Sequence, residues 1–318
     1  MLVSIFAEIE TANHFPGSSG KTYDSVTNTW HAPSIENLPD DEQSNLIRYG
    51  KELIENTSYY FGPKGKIAAI SNGMNCQNCH LKAGMSLYGN CFSAVSSFYP
   101  GFRARSGIVE SVTFRISDCM KRSLNGTPFD SSSKEMKAMV VFLNWLGKDV
   151  PKGKKPFGAN TEEIPYLDRA ADTLKGKEVY LSTCQRCHGS DGGGKLNAMG
   201  YGYIYPPLWG KNSYNTGAGL YRLSRFAGYV KNNMPFGTTY DNPVLTNEEA
   251  WDVAAYVNSQ PRPVKIFTED WPDISKKAID HPFGPYTDNF SEFQHKYGPF
   301  APIKKARDKK LIKNAGSL

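Results

Sequence analysis

Six cysteines mark where this sequence could do chemistry: Cys76, Cys79, Cys91, Cys119, Cys184 and Cys187. Four of them sit in two copies of one pattern, Cys76-Gln77-Asn78-Cys79-His80 and Cys184-Gln185-Arg186-Cys187-His188. Two thiols three positions apart can add across the two vinyl groups on one porphyrin edge, and the adjacent imidazole then turns under the iron as proximal ligand. The spacing predicts two covalently bound haem c groups, one on Cys76, Cys79 and His80, the other on Cys184, Cys187 and His188. One copy alone could be a redox dithiol. Two copies, each in a domain-sized segment, favour haem, and their wide separation argues against one zinc site, whose ligands lie close together.

Each iron then needs a sixth ligand. For the second haem the best candidate is Met234, in Asn233-Met234-Pro235-Phe236-Gly237, ahead of the last helix of its domain. Met199, in a Gly-rich loop soon after His188, is the competitor. Around the first haem stand Met85, Met120, Met136 and Met139 and the two spare thiols. Met136 and Met139 read as core. Cys119 lies in an expected helix over 108–124, ended by Asn125-Gly126, with Arg115 one turn earlier on the same face and Arg103 and Arg105 nearby. Guanidinium groups beside a thiol favour the thiolate, and the same planar forks bind small oxyanions. On these residues alone, a Cys91–Cys119 disulfide, or a buried cysteine beside surface arginines, stands as the plainer alternative.

These groups require elements to hold them. Gly50-Lys51-Glu52-Leu53-Ile54 before the first motif is echoed by Gly176-Lys177-Glu178-Val179-Tyr180 before the second. Both lie in helical patterns, and both glycines would let helices cross closely. After each motif comes an irregular stretch and then an amphipathic helix with an expected capping box, Ser132-x-x-Glu135 before 136–146 and Thr246-x-x-Glu249 before 250–258. The first copy carries an insertion between Gly50 and Cys76. The reading is a mainly α protein of two cytochrome c-like domains, each with one haem. Residues 1–34 form an irregular extension, 35–150 the first domain, and 151–162 a linker rich in Lys, Pro and Gly. Residues 163–262 form the second domain, and 263–318 an irregular wrapping tail whose basic end, from Lys304 to Lys310, reads as solvated.

The 318 residues are 39% hydrophobic and 21% charged, enough for folded cores and too apolar for a disordered chain. No apolar run approaches the ~20 residues of a membrane span. The net charge of +6 permits an anionic substrate, but no long basic stripe interleaves with the domains, so nucleic acid is not expected. Haem attachment of this kind implies a periplasmic or exported protein. The start, Met1-Leu2-Val3-Ser4-Ile5-Phe6-Ala7-Glu8, lacks the basic and apolar regions of a signal peptide.

The chain resembles the dihaem c-type thiosulfate dehydrogenases, which are also tetrathionate reductases. The likeness runs from about Ile35 to Ile303. It rests on Asn75-Cys76-x-x-Cys79-His80-Leu81-x-Ala83-Gly84, Arg103-Ala104-Arg105-Ser106-Gly107-x-Val109-Glu110, Arg115-Ile116-x-Asp118-Cys119-x-x-Arg122-Ser123-x-Asn125-Gly126, Pro206-Pro207-Leu208-Trp209-Gly210, Asn233-Met234-Pro235, Pro282-Phe283-Gly284-Pro285-Tyr286 and Gln294-His295-x-Tyr297-Gly298-Pro299-Phe300. The resemblance implies a first haem with His80 and Cys119 as ligands, where Arg105 and Arg115 hold substrate anions. It implies a second haem ligated by His188 and Met234 that passes electrons out. Some members place an exchangeable Lys before that Met; Asn233 stands here, so no such exchange is expected. Cys91 is outside the family pattern. The implied reaction joins two thiosulfates into tetrathionate with release of two electrons, or runs in reverse. In it the Cys119 sulfur leaves the iron and takes up a sulfane group, which a second thiosulfate then attacks. A soluble or membrane-associated cytochrome c-type or similar partner would take the electrons. The rival reading is a non-catalytic dihaem electron carrier; a dihaem peroxidase would want acid–base groups beside an open iron, and nothing local supplies them.

Overall fold

Two helix crossings organise the molecule, which is described over residues 20–315 by a computed structural model. The expectation about the Met1–Glu8 leader lies outside the described residues. Helix α1 (Glu42–Glu55) starts where the Asp41 carboxylate accepts the Ser44 N–H, and turns Ile47, Leu53 and Ile54 inward. The short helix α2 (Thr57–Phe61) follows. Helix α3 (Val112–Arg122) is capped by Ser111, and helix α4 (Lys134–Leu146) by Ser133. A Cβ built on Gly50 of α1 would run into the Ala138 carbonyl of α4, so the two backbones meet where only glycine fits. In the second half, α5 (Thr173–Val179) crosses α7 (Asn247–Ser259) in the same way, with Gly176 against the Asp252 carbonyl. Helix α6 (Leu223–Asn233) packs beside α7. The repeated glycine expected to allow close crossing does so in both halves.

Each crossing anchors its own core. The first gathers Ile47, Leu53, Met120, Met136, Met139, Phe142 and Trp145; the second gathers Tyr180, Leu223, Phe226, Trp251, Ala254 and Val257. Strand content among the described residues is three antiparallel two-stranded pairs: β1 (Tyr23–Asp24) with β2 (Thr29–Trp30), β3 (Gly101–Arg103) with β4 (Ile108–Glu110), and β5 (Lys195–Leu196) with β6 (Tyr203–Tyr205). Among the described residues, no helix is long and apolar enough to cross a membrane.

Four local expectations need correction. Residues 108–124 are not one helix: β4 pairs with β3, and the helix begins only after Ser111, whose hydroxyl accepts the Phe114 N–H. Ser132 does not open a capping box. Its N–H and hydroxyl turn back to Asp130, Ser133 caps α4 instead, and Glu135 accepts from the Tyr49 hydroxyl. The described part of the N-terminal extension is ordered as the β1–β2 hairpin, pinned where the Trp30 indole N–H donates to the Leu146 carbonyl. The tail is not irregular throughout. A short helix spans Glu292–Tyr297, and α8 (Phe300–Ala315) carries the basic run. Phe300 and Ile303 are buried in the second core, so this end is anchored by packing.

Candidate active site

The first Cys-x-x-Cys-His segment opens as a 3-10 turn over Cys76–Asn78, fixed by side chains around it. The Asn75 amide oxygen accepts the Ser58 N–H, the Asn78 oxygen accepts the Asn75 N–H, and the Thr57 hydroxyl accepts the Cys76 N–H. The His80 ring holds its Nδ1 2.7 Å from the Asn90 carbonyl, leaving Nε2 for a metal. Phe92 stacks on that ring at 4.2 Å between centroids. To bring Phe92 there the chain turns left-handed through Lys82, Ala83 and Gly84. A Cβ at Gly84 would enter the Phe92 ring, which is why glycine stands there.

A cavity of about 570 Å³ adjoins this turn, lined by Cys76, Cys79, His80, Phe92, Arg103, Arg105, Glu110, Arg115, Cys119, Met120, Met139 and Leu143 among others. Its size suits a cofactor. On its walls, Arg103 Nε and Glu110 Oε2 are buried without a hydrogen-bond partner, polar ends that a charged group in the cavity would meet. Burial pushes the Cys76 and Cys79 thiols up to about 12, so both stay protonated, and it pulls His80 down to about 4, so the imidazole is neutral and able to ligate. The residues fit a covalently attached haem.

Cys119 and Arg115 lie one turn apart on α3, with Val112, Ile116 and Met120 of the same helix buried in the core. Both line the large cavity and also a second, smaller one of about 260 Å³. Arg105, His80 and Trp271 stand on the same shared wall. The Arg115 guanidinium is held charged chiefly by the Cys119 sulfur beside it. Arg105 is pushed down to about 10, first by burial and then by the like charges of Arg115 and Arg122, so it remains charged at neutral pH. Guanidinium groups crowded together in this way gain from an anion between them. No disulfide forms between Cys91 and Cys119: both are free thiols, and Cys91 is buried where its carbonyl accepts the Asn160 N–H.

Behind the pair runs an ion network that sequence reading missed. Asp118 accepts from Arg115 at 3.2 Å and from Arg122 Nε at 2.6 Å. Burial opposes the charge on Asp118, but Arg122, Arg105 and Arg115 outweigh it and hold its carboxyl below the usual range. Arg122 continues to Asp270 in the tail and lies 3.7 Å over the Phe267 ring. The next residue, Trp271, donates its backbone N–H to the Arg105 carbonyl and adopts a positive φ of 63°. The smaller cavity is completed by Tyr221, Arg222 and Arg225 of the second half and by His281. The sequence signal for these lay in Arg222-x-x-Arg225 and in Asp270-Trp271, which periodicity does not flag.

The second motif sits on the continuation of α5, through a π turn over Tyr180–Cys184 into Gln185–His188. Such turns recur at functional sites. His188 is buried, with Nδ1 2.8 Å from the Pro206 carbonyl and Nε2 again left over. Burial lowers its pKa, so it too is neutral. Met234 ends α6 in extended backbone and packs on the second core, as does Cys184, whereas Met199 is 73% exposed. A half-buried thioether packed on the core at a helix end suits a ligand; an exposed one does not.

Residues 173–261 match the cytochrome c family, and residues 66–151 match the family described as SoxA/TsdA, cytochrome c domain. With two such domains, mainly helical and each holding one Cys-x-x-Cys-His turn, this is a c-type cytochrome with two covalently bound haems. Thiosulfate dehydrogenase of Stutzerimonas stutzeri is 35% identical over 73% of this chain and 72% of its own length. That of Psychrobacter arcticus is 34% identical over 84% of this chain and 79% of its own, and that of Allochromatium vinosum 35% over 73% and 84%. The as-isolated form of thiosulfate dehydrogenase TsdBA from Marichromatium purpuratum superposes with a TM-score of 0.67 at 29% identity, over 74% of this chain; this chain spans half the length of that one. The chain belongs to the thiosulfate dehydrogenase family.

Proposed function

We propose that this protein is a thiosulfate dehydrogenase that joins two thiosulfates into tetrathionate, with tetrathionate reduction as the reverse at the same site. Family membership supports thiosulfate oxidation. The observation that carries the site is the position of Cys119: one turn from Arg115, on the wall that it shares with Arg105 between the cofactor-sized cavity and the smaller one. Cys76 and Cys79 would hold the first haem, with His80 and Cys119 as its iron ligands; Cys184 and Cys187 would hold the second, with His188 and Met234 as its iron ligands. The haems supply one-electron acceptors, and two of them match the two electrons that the reaction releases.

Arg105 and Arg115 hold a thiosulfate by its oxygens with its outer sulfur toward Cys119. The Cys119 thiolate bonds to that sulfur, giving Sγ–S–SO3⁻ and releasing two electrons. The outer sulfur of a second thiosulfate then attacks the sulfur bonded to Sγ. The Sγ–S bond breaks, tetrathionate forms, and Cys119 returns as thiolate, in a displacement of the thiol–disulfide exchange type. No proton need move in either step. Electrons leave from the second domain to a soluble or membrane-associated c-type cytochrome or similar acceptor, and the protein works in the periplasm or outside the cell, where haem c is attached.

Thiosulfate-dependent reduction of ferricyanide, with product analysis, tests this reading. One tetrathionate should appear for every two thiosulfates consumed and every two ferricyanides reduced. A protein that exchanges electrons with ferricyanide but does not respond to thiosulfate is a carrier, and the reading fails.

A further inference from the structure

Four arginines line the smaller cavity, and they differ in how firmly a carboxylate holds them: Arg115 meets Asp118 through one nitrogen at 3.2 Å, whereas Arg222 meets Asp280 through two. Arg105 and Arg115 come from the first domain, Arg222 and Arg225 from the start of α6 in the second. Arg222 is committed. Its Nε lies 2.8 Å from Asp280 Oδ1, and the Asp280 side chain is 1% exposed. Arg225 is not. It pairs with Glu163 at 3.3 Å, whose side chain is 73% exposed, and such a pair contributes little in water. Arg225 also lines the larger cavity with Cys119 and His80.

Tetrathionate carries a sulfonate at each end of a short sulfur chain, and its two thiosulfate halves repel each other as they approach. One cationic clamp can hold one end; the other end needs a second, on another wall. We propose that Arg225 is a substrate-binding residue that receives the sulfonate of the second thiosulfate, the end of tetrathionate farther from Arg105 and Arg115. This inference rests on the proposed function and deepens it: the anion site is completed only by a residue of the electron-transfer domain.

The test is calorimetric titration of tetrathionate into the fully oxidised, haem-loaded protein, where no electrons are available for net reduction, and the affinity read covers capture of the anion at the site. The wild type should bind. Arg225→Gln should weaken binding by about tenfold or more and flatten its dependence on salt, with both haem spectra unchanged. Arg225→Lys keeps the charge but not the fork, and should fall between the two. Glu163→Gln, which frees Arg225 from its loose partner, should bind at least as tightly as wild type. If R225Q does not fold, R225K carries the test through its weaker, still salt-dependent binding. Binding by R225Q or R225K equal to wild type would overturn the inference and leave the proposed function standing. A wild type that neither binds tetrathionate nor responds to thiosulfate would overturn both.

Discussion

Arg122 and Asp270 lie 148 residues apart and form a two-pronged ion pair, with both N···O distances at 2.7 Å. The pair ties the tail to the helix that carries Cys119. Arg122 also grips Asp118, which in turn touches Arg115, so the tail is coupled through three side chains to a guanidinium in the site. The fork geometry and burial make this pair costly to break and useful as a positioning device.

Removing Asp270 leaves Arg122 held by Asp118 alone. Asp270→Asn should destabilise the protein by about 1–3 kcal/mol, the usual cost of losing hydrogen bonds to a charged, largely buried group. It should also raise the KM for thiosulfate more than it lowers kcat, because Arg115 loses its support and Cys119 does not. Thermal unfolding and steady-state kinetics of the haem-loaded variant check both. An unchanged Tm would mean that Arg122 is held well enough by Asp118 alone.

The fold should fail in acid through its buried carboxylates. Burial works against the charge of Asp280, but Arg222 and Ser224 outweigh it, and its carboxyl is held below the usual value of 3.8. A depressed folded pKa contributes stability that is fully present above the unfolded value and is lost as pH falls through the folded one. Stability should therefore be insensitive to this group from neutrality down to about pH 4 and decline below it. Asp280→Asn should lower stability at pH 7 and shrink the acid decline. Denaturant midpoints between pH 7 and pH 3 measure both.

Much of this was legible in the sequence because chemistry and spacing are local. The two Cys-x-x-Cys-His turns, the paired Gly50 and Gly176, the Thr246–Glu249 capping box and the Arg115–Cys119 turn of helix are all read within a few residues, and the structure holds each of these local arrangements. What was not legible depends on distant partners. The tail reads as irregular because its order comes from Arg122, from the Arg105 carbonyl and from burial of Phe300 and Ile303, none of which is near it in sequence. Arg225 reads as an ordinary helix residue until the two domains meet around the cavity. Residues 108–124 mislead because β4 is short and apolar, and only its pairing with β3 separates it from the helix that follows.

Met234 is the proposed thioether ligand of the second haem. Met234→Gly should remove the thioether–iron band at the red end of the oxidised spectrum and lower that haem's potential, while haem attachment through Cys184 and Cys187 persists. The exposed Met199 should be replaceable without spectral change. A spectrum lost on Met199→Gly and kept on Met234→Gly would reverse the assignment.

In the proposed reaction Cys119 bonds to substrate sulfur, so removing that sulfur atom is the decisive change. Thiosulfate-dependent ferricyanide reduction is measured for wild type and Cys119→Gly, both shown to carry two haems. Cys119→Gly should lose on the order of 10³-fold or more in kcat/KM, as expected when the reacting group itself is removed, with a changed first-haem spectrum and an intact second one. Retention of wild-type activity by Cys119→Gly with both haems in place would contradict the proposed reaction.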